Sequence, residues 1–319
     1  FDMAGVLSLY LVVMIVIAMI LQFYVMGRKR FDFLGTGTEQ VMPKKAGPAV
    51  TGLLSVITGV FSLIALGIPI GSNFIMSFSD SFSIERFRFT LANYQNVLQP
   101  DGTLLAGVKN SLSLAAVAAV IGLIIGFAVA YILTYSQFKL KRLIDMLTLI
   151  AMAVPGVVLG IGYIFVWNQK WLQPLGLNLY GKPEILILAS VASAIPLINR
   201  VLVGGMSKVP QELLTASQVQ GAGLFRRLRT VLLPLLHSSM VSAVLAAFGG
   251  SVFNLAITTI LYPPNYSTLP VYISDAYNDL NFGYSAAATI VGGTFIVAIM
   301  LLLEVLLNLG KRKRNADYT

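Results

Sequence analysis

Cysteine is absent from this chain of 319 residues, and histidine occurs once, at His237. Without cysteine the chain has no disulfide framework, no thiolate metal site and no cysteine nucleophile. A single histidine cannot build a site of several histidine ligands, so we expect His237 to pack between helices. We therefore expect no resident metal site in this chain.

Charged residues are also scarce: they make up 11% of the chain, whereas 57% of it is hydrophobic. A soluble globular domain carries about 25% charged residues, so this composition excludes that class and predicts an integral membrane protein. Seven segments are apolar over the roughly 20 residues that a membrane-spanning helix needs. The predicted spans are residues 4–26, 50–74, 110–135, 144–167, 184–206, 234–261 and 283–309.

The net charge of +9 could indicate a nucleic-acid partner, but the positions of the basic residues indicate membrane orientation instead. If the seven spans alternate across the bilayer, all but five of the 22 Lys and Arg residues lie on one side. Basic loops favour the cytoplasm. We therefore expect the N-terminus outside and the C-terminus inside. The five residues on the outer side are Arg86, Arg88, Lys109, Lys170 and Lys182.

Both ends of the chain carry an apolar span followed by Gly and a basic cluster, at Gly27–Arg30 and Gly310–Arg314. Basic residues commonly follow a membrane span, which is the ordinary explanation. The alternative is that residues 1–30 are the last transmembrane helix of an upstream homologous half, joined by a cytoplasmic linker at 31–49. Residues 50–310 would then form the main membrane domain, and 311–319 a cytoplasmic basic tail.

A polar, cationic stretch at residues 209–234 separates two apolar spans on the predicted cytoplasmic side. Pro210 suits the first turn of a helix, because its missing N–H would be unpaired there anyway. Glu212 places negative charge near the helix N-terminus, and Gly221 accepts the left-handed backbone that ends a helix. Pro234 is expected to open the next membrane helix. The pattern predicts a short helix, a glycine turn and a short basic helix along the membrane surface.

This stretch resembles the signature loop of permease subunits of binding-protein-dependent ABC importers. The family pattern is Glu-Ala-Ala, three residues, Gly, nine residues, Ile, any residue and Leu-Pro. Here Thr215-Ala216-Ser217 stand at the first three places and Gly221-Ala222 at the glycine; Val231, Leu233 and Pro234 occupy the closing places. The departures are Thr215 for Glu, Ser217 for Ala, and Gln220 where an acid is common. Because Thr215 stands where the family has Glu, the loop lacks that negative charge, which affects how strongly it docks on a partner.

The resemblance extends over about residues 85–310 and includes Phe89–Tyr94, Asn110–Leu112 and Val154–Gly160. These segments look most like the branch that serves ferric iron, aminoethylphosphonate and polyamines. Ferric iron is the first expectation for the solute. The alternatives are 2-aminoethylphosphonate, a polyamine or another small solute carried by the same machinery.

The resemblance implies an all-α type I ABC importer permease of about seven transmembrane helices, with a cytoplasmic coupling helix that sits in a cleft of an ATPase. Its implied place is a bacterial or archaeal cell (inner) membrane. The implied partners are an ABC ATPase dimer, a second permease half or subunit, an extracytoplasmic solute-binding protein and membrane lipid, but no nucleic acid. ATP and magnesium would be bound by the ATPase, so this chain is expected to hold no catalytic residue or cofactor.

The residues expected to couple to the ATPase are Glu212, Thr215, Ala216, Ser217, Gly221, Ala222, Arg226, Leu233 and Pro234. The alternative is an amphipathic helix on the membrane surface without a protein partner. Polar residues and a proline within the spans are candidates to line the solute path, although each could equally serve helix packing. They are Asn110, Pro155, Asn199, Asn254, Thr258 and Thr259.

Three other functions are weakly supported. Residues 176–183 nearly match a phosphate-binding loop, but Pro183 lacks the hydroxyl that binds Mg²⁺ and no strand is expected before the loop. A seven-helix retinal receptor needs a lysine in its last span, and residues 283–309 contain none. An intramembrane enzyme needs paired acids, a Ser/His pair or a histidine cluster, for which the spans hold too few acids and one histidine.

Overall fold

The computed structural model describes residues 2–27, 47–80, 88–99 and 103–316, and we consider only these below. They are mostly helical, and the one extended pairing within them is an isolated bridge between Ser79 and Phe89. The helices are α1 (Asp2–Gly27), α2 (Pro48–Ser77), α3 (Ala92–Val97), α4 (Thr103–Tyr135), α5 (Lys141–Ala153), α6 (Gly156–Trp167), α7 (Pro183–Met206), α8 (Gln211–Val219), α9 (Leu224–Val252), α10 (Leu255–Leu261), α11 (Leu269–Asn278) and α12 (Phe282–Ala316).

Five of these helices are long and apolar enough to cross a membrane: α2, α4, α7, α9 and α12. The pair α5 and α6 passes the same test as one broken span, and α1 contains a shorter apolar stretch at Gly5–Ala18. The fold class predicted from the sequence, an all-α integral membrane protein, is confirmed. Most of the predicted linker, residues 31–46, lies outside the described residues, whereas the backbone of α12 remains helical to Ala316.

The predicted span 144–167 is not a straight helix, because α5 and α6 meet at an angle of 107°. Pro155 causes the break: it has no N–H for the helix ladder, and its ring disfavours helical geometry in the residue before it. Val154 is accordingly extended, with φ −67° and ψ 123°. A hydropathy pattern does not detect such a bend, because both halves remain apolar.

The predicted span 234–261 also differs from the structure. Its helix begins earlier, at Leu224, and ends at Val252; a separate short helix, α10, follows. Asn254 starts α10 as its N-cap, since its Oδ1 accepts a hydrogen bond of 3.0 Å from the Ile257 N–H. Such a cap favours a new helix start at this position.

Two prolines lie inside helices two residues after a π-helical turn. The turns are Leu63–Gly67 before Pro69, and Leu228–Leu232 before Pro234. In the second turn the Leu233 N–H donates to the carbonyl of Leu228, five residues back. The wider turn makes room for a proline ring that would otherwise crowd the carbonyl four residues before it. Pro234 lies in the first turn of the α-helical stretch Leu233–Val252, as predicted. The helix also continues upstream through the π turn to Leu224, so no break separates the basic segment from the membrane helix.

One compact unit comprises Phe1–Val16, Pro100–Asp275 and Gly292–Thr319, and its centre is built from α4, α7 and α9 packed on one another. Close approach of α4 and α7 depends on small residues. A Cβ added at Gly126 would lie 2.7 Å from Cγ2 of the buried Ile198. Since lipid is as apolar as these side chains, such close packing is a main source of helix association in membranes.

The second unit comprises Ile17–Gln99 and Ala276–Val291. In it, the Asn93 side-chain amide donates to the carbonyls of Ser77 (3.0 Å) and Ser79 (2.8 Å). The ring of Phe89 stacks on that of Phe78 with a centroid distance of 5.3 Å. These contacts hold the end of α2, the bridge and α3 together, within the Phe89–Tyr94 segment singled out in the sequence.

Candidate functional site

The loop at 209–234 has the predicted start: a short helix, α8, runs from Gln211 to Val219. Pro210 precedes it as the N-cap, with φ −59° and ψ 135°, and Glu212 lies in its first turn. The hydroxyl of Thr215 donates to the Glu212 carbonyl (3.0 Å) and that of Ser217 to the Leu214 carbonyl (2.9 Å). These two departures from the family pattern therefore satisfy their hydroxyls within the helix itself.

Gly221 ends α8 in a left-handed conformation, with φ +81°. The Ala222 N–H donates to the Ser217 carbonyl (3.1 Å), and the Gly221 N–H donates to the Gln218 carbonyl (2.9 Å). This pair of bonds is the Schellman motif, which satisfies carbonyls at a helix C-terminus. The predicted glycine turn therefore lies at the predicted residue.

The basic segment after the turn is the first part of α9. There Arg227 Nη1 donates to Oε1 of Gln218 at 2.9 Å, which ties the start of α9 to the end of α8. Arg226 is exposed beside it, and Leu233 and Pro234 are partly buried farther along. The nine residues expected to couple to an ATPase thus lie on one ordered helix–turn–helix element.

Four large apolar side chains of this element are exposed: Leu213, Val219, Leu224 and Phe225, of which Val219 and Phe225 are the most exposed. Val219 is 88% exposed and Phe225 is 77% exposed, one on each side of the Gly221 turn. Leu214, by contrast, is buried. The sequence reasoning missed Val219 and Phe225, although Val219 lies between two glutamines and Phe225 directly before two arginines. Neighbouring exposed apolar side chains are typical of a surface that another protein covers.

The candidate path residues do not meet at one place. Asn254 and Thr258 are neighbours, because the Thr258 hydroxyl donates to the Asn254 carbonyl, whereas Thr259 is exposed. Pro155 is close to this pair, since a Cβ on the next residue, Gly156, would touch Ala256 and Ile257.

The other two candidates lie apart from that group. The Asn110 amide donates to the Ser267 carbonyl (2.9 Å), and the Asn199 amide donates to the Thr148 hydroxyl (3.4 Å). Asn199 is fully buried, and its Oδ1 has no hydrogen-bond partner among the described residues. Asn199 thus joins two helices, and Asn110 joins α4 to the segment before α11; a role in the path stays a prediction for both.

An ion pair beside Asn199 is another feature that sequence reasoning missed. Arg200 Nη2 of α7 lies 2.7 Å from Oδ1 of Asp145 in α5, and it also donates to the Thr148 hydroxyl (3.2 Å). Both charged side chains are partly exposed in the isolated chain, so the pair's charge alone contributes little. The bonds join α7, which leads into α8, to the first half of the broken span.

Helices long enough to cross a membrane, together with an ordered polar loop that presents apolar side chains, define an integral membrane protein with a surface that suits a protein partner. The chain belongs to the family of binding-protein-dependent transport system inner membrane components, whose sequence pattern it matches over residues 118–314. The resemblance noted in the loop is thereby confirmed. The chain is a permease subunit of an ABC importer.

The names of curated relatives refer to different solutes. The chain is 30% identical over 251 residues to a putative 2-aminoethylphosphonate transport system permease protein, PhnV, of Salmonella paratyphi A, covering 78% of this chain and 90% of that protein. It is 24% identical over 236 residues to the ferric transport system permease protein FbpB of Actinobacillus pleuropneumoniae, covering 73% and 33%. The chain thus spans one third of the ferric relative's length.

Solved structures share the fold. A bacterial ABC transporter involved in the import of the acidic polysaccharide alginate matches with a TM-score of 0.64 and 16% identity, covering 83% of this chain and 96% of that one. An inward-facing methionine ABC transporter, MetNI, matches with a TM-score of 0.50 and 20% identity, covering 66% and 95%. These likenesses support the type I importer core expected from the sequence.

Proposed function

We propose that residues 209–234 of this permease dock on a cytoplasmic ABC ATPase dimer, and that this contact drives alternating access of the membrane core. The observation that carries the proposal is the ordered α8–turn–α9 element with Val219 and Phe225 exposed on it. Basic residues beside the turn add charge to the same surface. The alternative, a surface helix held only by lipid, does not need the Schellman turn at Gly221.

The proposed motor is in the partner, which binds and hydrolyses ATP with magnesium. Residues 176–183, the near match to a phosphate-binding loop, follow a short 3-10 helix (Lys170–Leu175) and lead into α7 at Pro183. A phosphate-binding loop instead follows a strand and ends in Ser or Thr. Closure of the ATPase must then favour one permease conformation over the other, because a partner with equal affinity for both shifts nothing.

The solute is proposed to come from an extracytoplasmic binding protein and to cross between this chain and a second permease half or subunit. A solved alginate importer in complex with a periplasmic protein supports this arrangement. We propose 2-aminoethylphosphonate and ferric iron as the two solutes to test first. Identity and coverage favour the phosphonate, and the ferric relatives, together with the short upstream motifs, support iron.

Uptake by proteoliposomes distinguishes these solutes. The transporter is reconstituted with its ATPase, second permease and binding protein, and is supplied with Mg-ATP and either ¹⁴C-labelled 2-aminoethylphosphonate or ⁵⁵Fe-citrate. We expect ATP-dependent accumulation of one probe, which requires the binding protein. Accumulation of neither would remove both solutes from the proposal.

The docking surface is tested by placing a charge on it. We expect Phe225→Glu to leave the protein inserted and folded, because the side chain is already exposed, but to reduce uptake and co-purification of the ATPase by at least tenfold, since a buried unpaired charge costs several kcal/mol. Leu175→Glu is the matched control, because Leu175 is 65% exposed in the loop predicted to lie outside. Equal, undiminished ATPase binding by both variants would contradict the proposed docking.

A further inference from the structure

The hydroxyl of Tyr135, at the end of α4, donates to two carbonyls of the corner that leads from α7 into α8. It lies 2.8 Å from the Met206 oxygen and 3.3 Å from the Val209 oxygen. The single hydroxyl proton is shared between them. One side chain from a different helix thus spans both ends of the corner 206–209.

These carbonyls lie where the helix ladder stops. The last turn of α7 tightens, and the Val209 N–H donates to the Met206 carbonyl at 3.0 Å. The next residue, Pro210, has no N–H to offer. A carbonyl at a buried helix end needs a partner. Met206 is fully buried, and Tyr135 adds a second donor to its carbonyl and a donor to the Val209 carbonyl.

The corner also sets the direction of α8. It connects the membrane helix α7 to Pro210, whose fixed φ starts the short helix. Beyond the corner, the main attachments of α8 within the loop are the buried Leu214 and the bond from Arg227 to Gln218. The angle between α7 and α8 therefore depends on how firmly the corner is held.

We propose that Tyr135 is a positioning residue, which holds the coupling helix α8 at a fixed angle to α4 and α7 so that movement of the ATPase is passed to both membrane helices. This inference rests on the proposed docking of residues 209–234. It adds a specific residue, outside the loop itself, through which docking acts on the membrane core.

The test is Tyr135→Phe, which removes the hydroxyl and retains the ring. Tyr131→Phe is the matched control: Tyr131 lies one turn earlier on α4, its ring centroid is 5.6 Å from that of Tyr135, and its hydroxyl makes no hydrogen bond within the described part of the chain. Both variants are measured in the reconstituted importer, with ATP hydrolysis followed as phosphate release and uptake followed with the two labelled probes above.

We expect Tyr135→Phe to lower the ratio of solute accumulated to ATP hydrolysed by about fivefold, the population change that follows from one lost hydrogen bond. Tyr131→Phe is expected to keep the wild-type ratio. Thermal melting of Tyr135→Phe should fall slightly below that of Tyr131→Phe, by the roughly 1 kcal/mol of one hydrogen bond, so the ratio is measured on the folded fraction of each variant. A wild-type ratio in Tyr135→Phe, or a loss of folded protein without a change in the ratio, overturns the proposal.

A distance measurement tests the geometry independently of transport. The chain has no cysteine, so a double variant can carry one spin label at Lys139→Cys, after α4, and the other at Gln220→Cys, at the end of α8. We expect Tyr135→Phe, but not Tyr131→Phe, to broaden the distance distribution. If Phe225→Glu uncouples the importer while Tyr135→Phe changes neither ratio nor distances, the positioning role fails and the docking proposal remains. If neither substitution has an effect, both fail.

Discussion

At the scale of single residues, Gly221 is required for its backbone angle and not for lack of space. Its φ is +81°, a region that L-residues with a side chain rarely adopt, yet a Cβ added there would meet nothing within 4 Å. Gly223, two residues later, is equally open but has φ −64° and ψ 167°, which any residue adopts. Neither position is crowded, so comparing alanine at the two positions isolates the effect of the backbone angle.

We expect Gly221→Ala to weaken the Schellman turn by about 1–2 kcal/mol, the cost of a left-handed L-residue, and Gly223→Ala to change it little. Amide hydrogen exchange over residues 211–223 in lipid nanodiscs measures this. In Gly221→Ala the exchange should accelerate by about 5- to 30-fold. Equal exchange in the two variants would show that the turn does not depend on the angle at Gly221.

The structural roles of some of these residues could be predicted from the sequence, and those of others could not. The spacing of Pro210, Gly221 and Pro234 placed the loop, since turn and cap chemistry is local. Tyr135 and Met206 are 71 residues apart, and Arg200 and Asp145 are 55 apart. No local pattern connects such partners. Only the packing of α4, α5 and α7 brings them together.

At the scale of helices, the contact between α4 and α7 depends on the absence of a side chain at Gly126. Cγ2 of Ile198 is attached directly to the branched Cβ, and Ile198 is fully buried, so it has little freedom to move away. Gly162 of α6 is a helical glycine with nothing within 4 Å of an added Cβ. Replacing glycine by alanine should thus have opposite effects on stability at these two sites.

We expect Gly126→Ala to destabilise the protein by about 1–3 kcal/mol through overpacking. Gly162→Ala should be neutral or stabilising by up to about 1 kcal/mol, since alanine favours helix over glycine. Thermal melting in detergent, followed by fluorescence-detected size exclusion, gives the sign of each change. A higher melting temperature for Gly126→Ala than for Gly162→Ala would contradict the close packing of α4 on α7.

Helix positions were more predictable than helix ends and breaks. Apolar length alone located α2, α4, α7 and α12 to within several residues. Pro155 inside its predicted span indicated a kink, but the sequence did not give the angle of 107°. The restart of the helix at Asn254 was missed, because hydropathy averages over it. The π turn before Pro234 was also missed, since its five-residue bonds depend on backbone geometry.

At the scale of the whole molecule, the predicted orientation follows from the distribution of basic residues. Gln220 lies in the loop predicted to face the cytoplasm, and Gln173 in the loop predicted to lie outside; both side chains are exposed. They are the same residue type, and no native cysteine competes for a label. Labelling of a cysteine placed at each of these two positions therefore tests the predicted orientation.

We expect Gln173→Cys to react with a membrane-impermeant maleimide in spheroplasts, and Gln220→Cys to react only in inside-out vesicles. The physical reason is that basic loops remain in the cytoplasm during insertion. Mass shift of the purified chain measures labelling. The reverse pattern would invert the predicted topology and place residues 209–234 away from any cytoplasmic ATPase.

The continuity of α9 has a mechanical consequence. Because the π turn accommodates Pro234 without ending the helix, Leu224–Val252 is one continuous helical span of 29 residues, up to about 43 Å long at 1.5 Å per residue. A tilt of about 5° imposed at its loop end would move the other end by about 4 Å over that length. A small rotation beside Phe225 is thus geometrically amplified across the thickness of the bilayer.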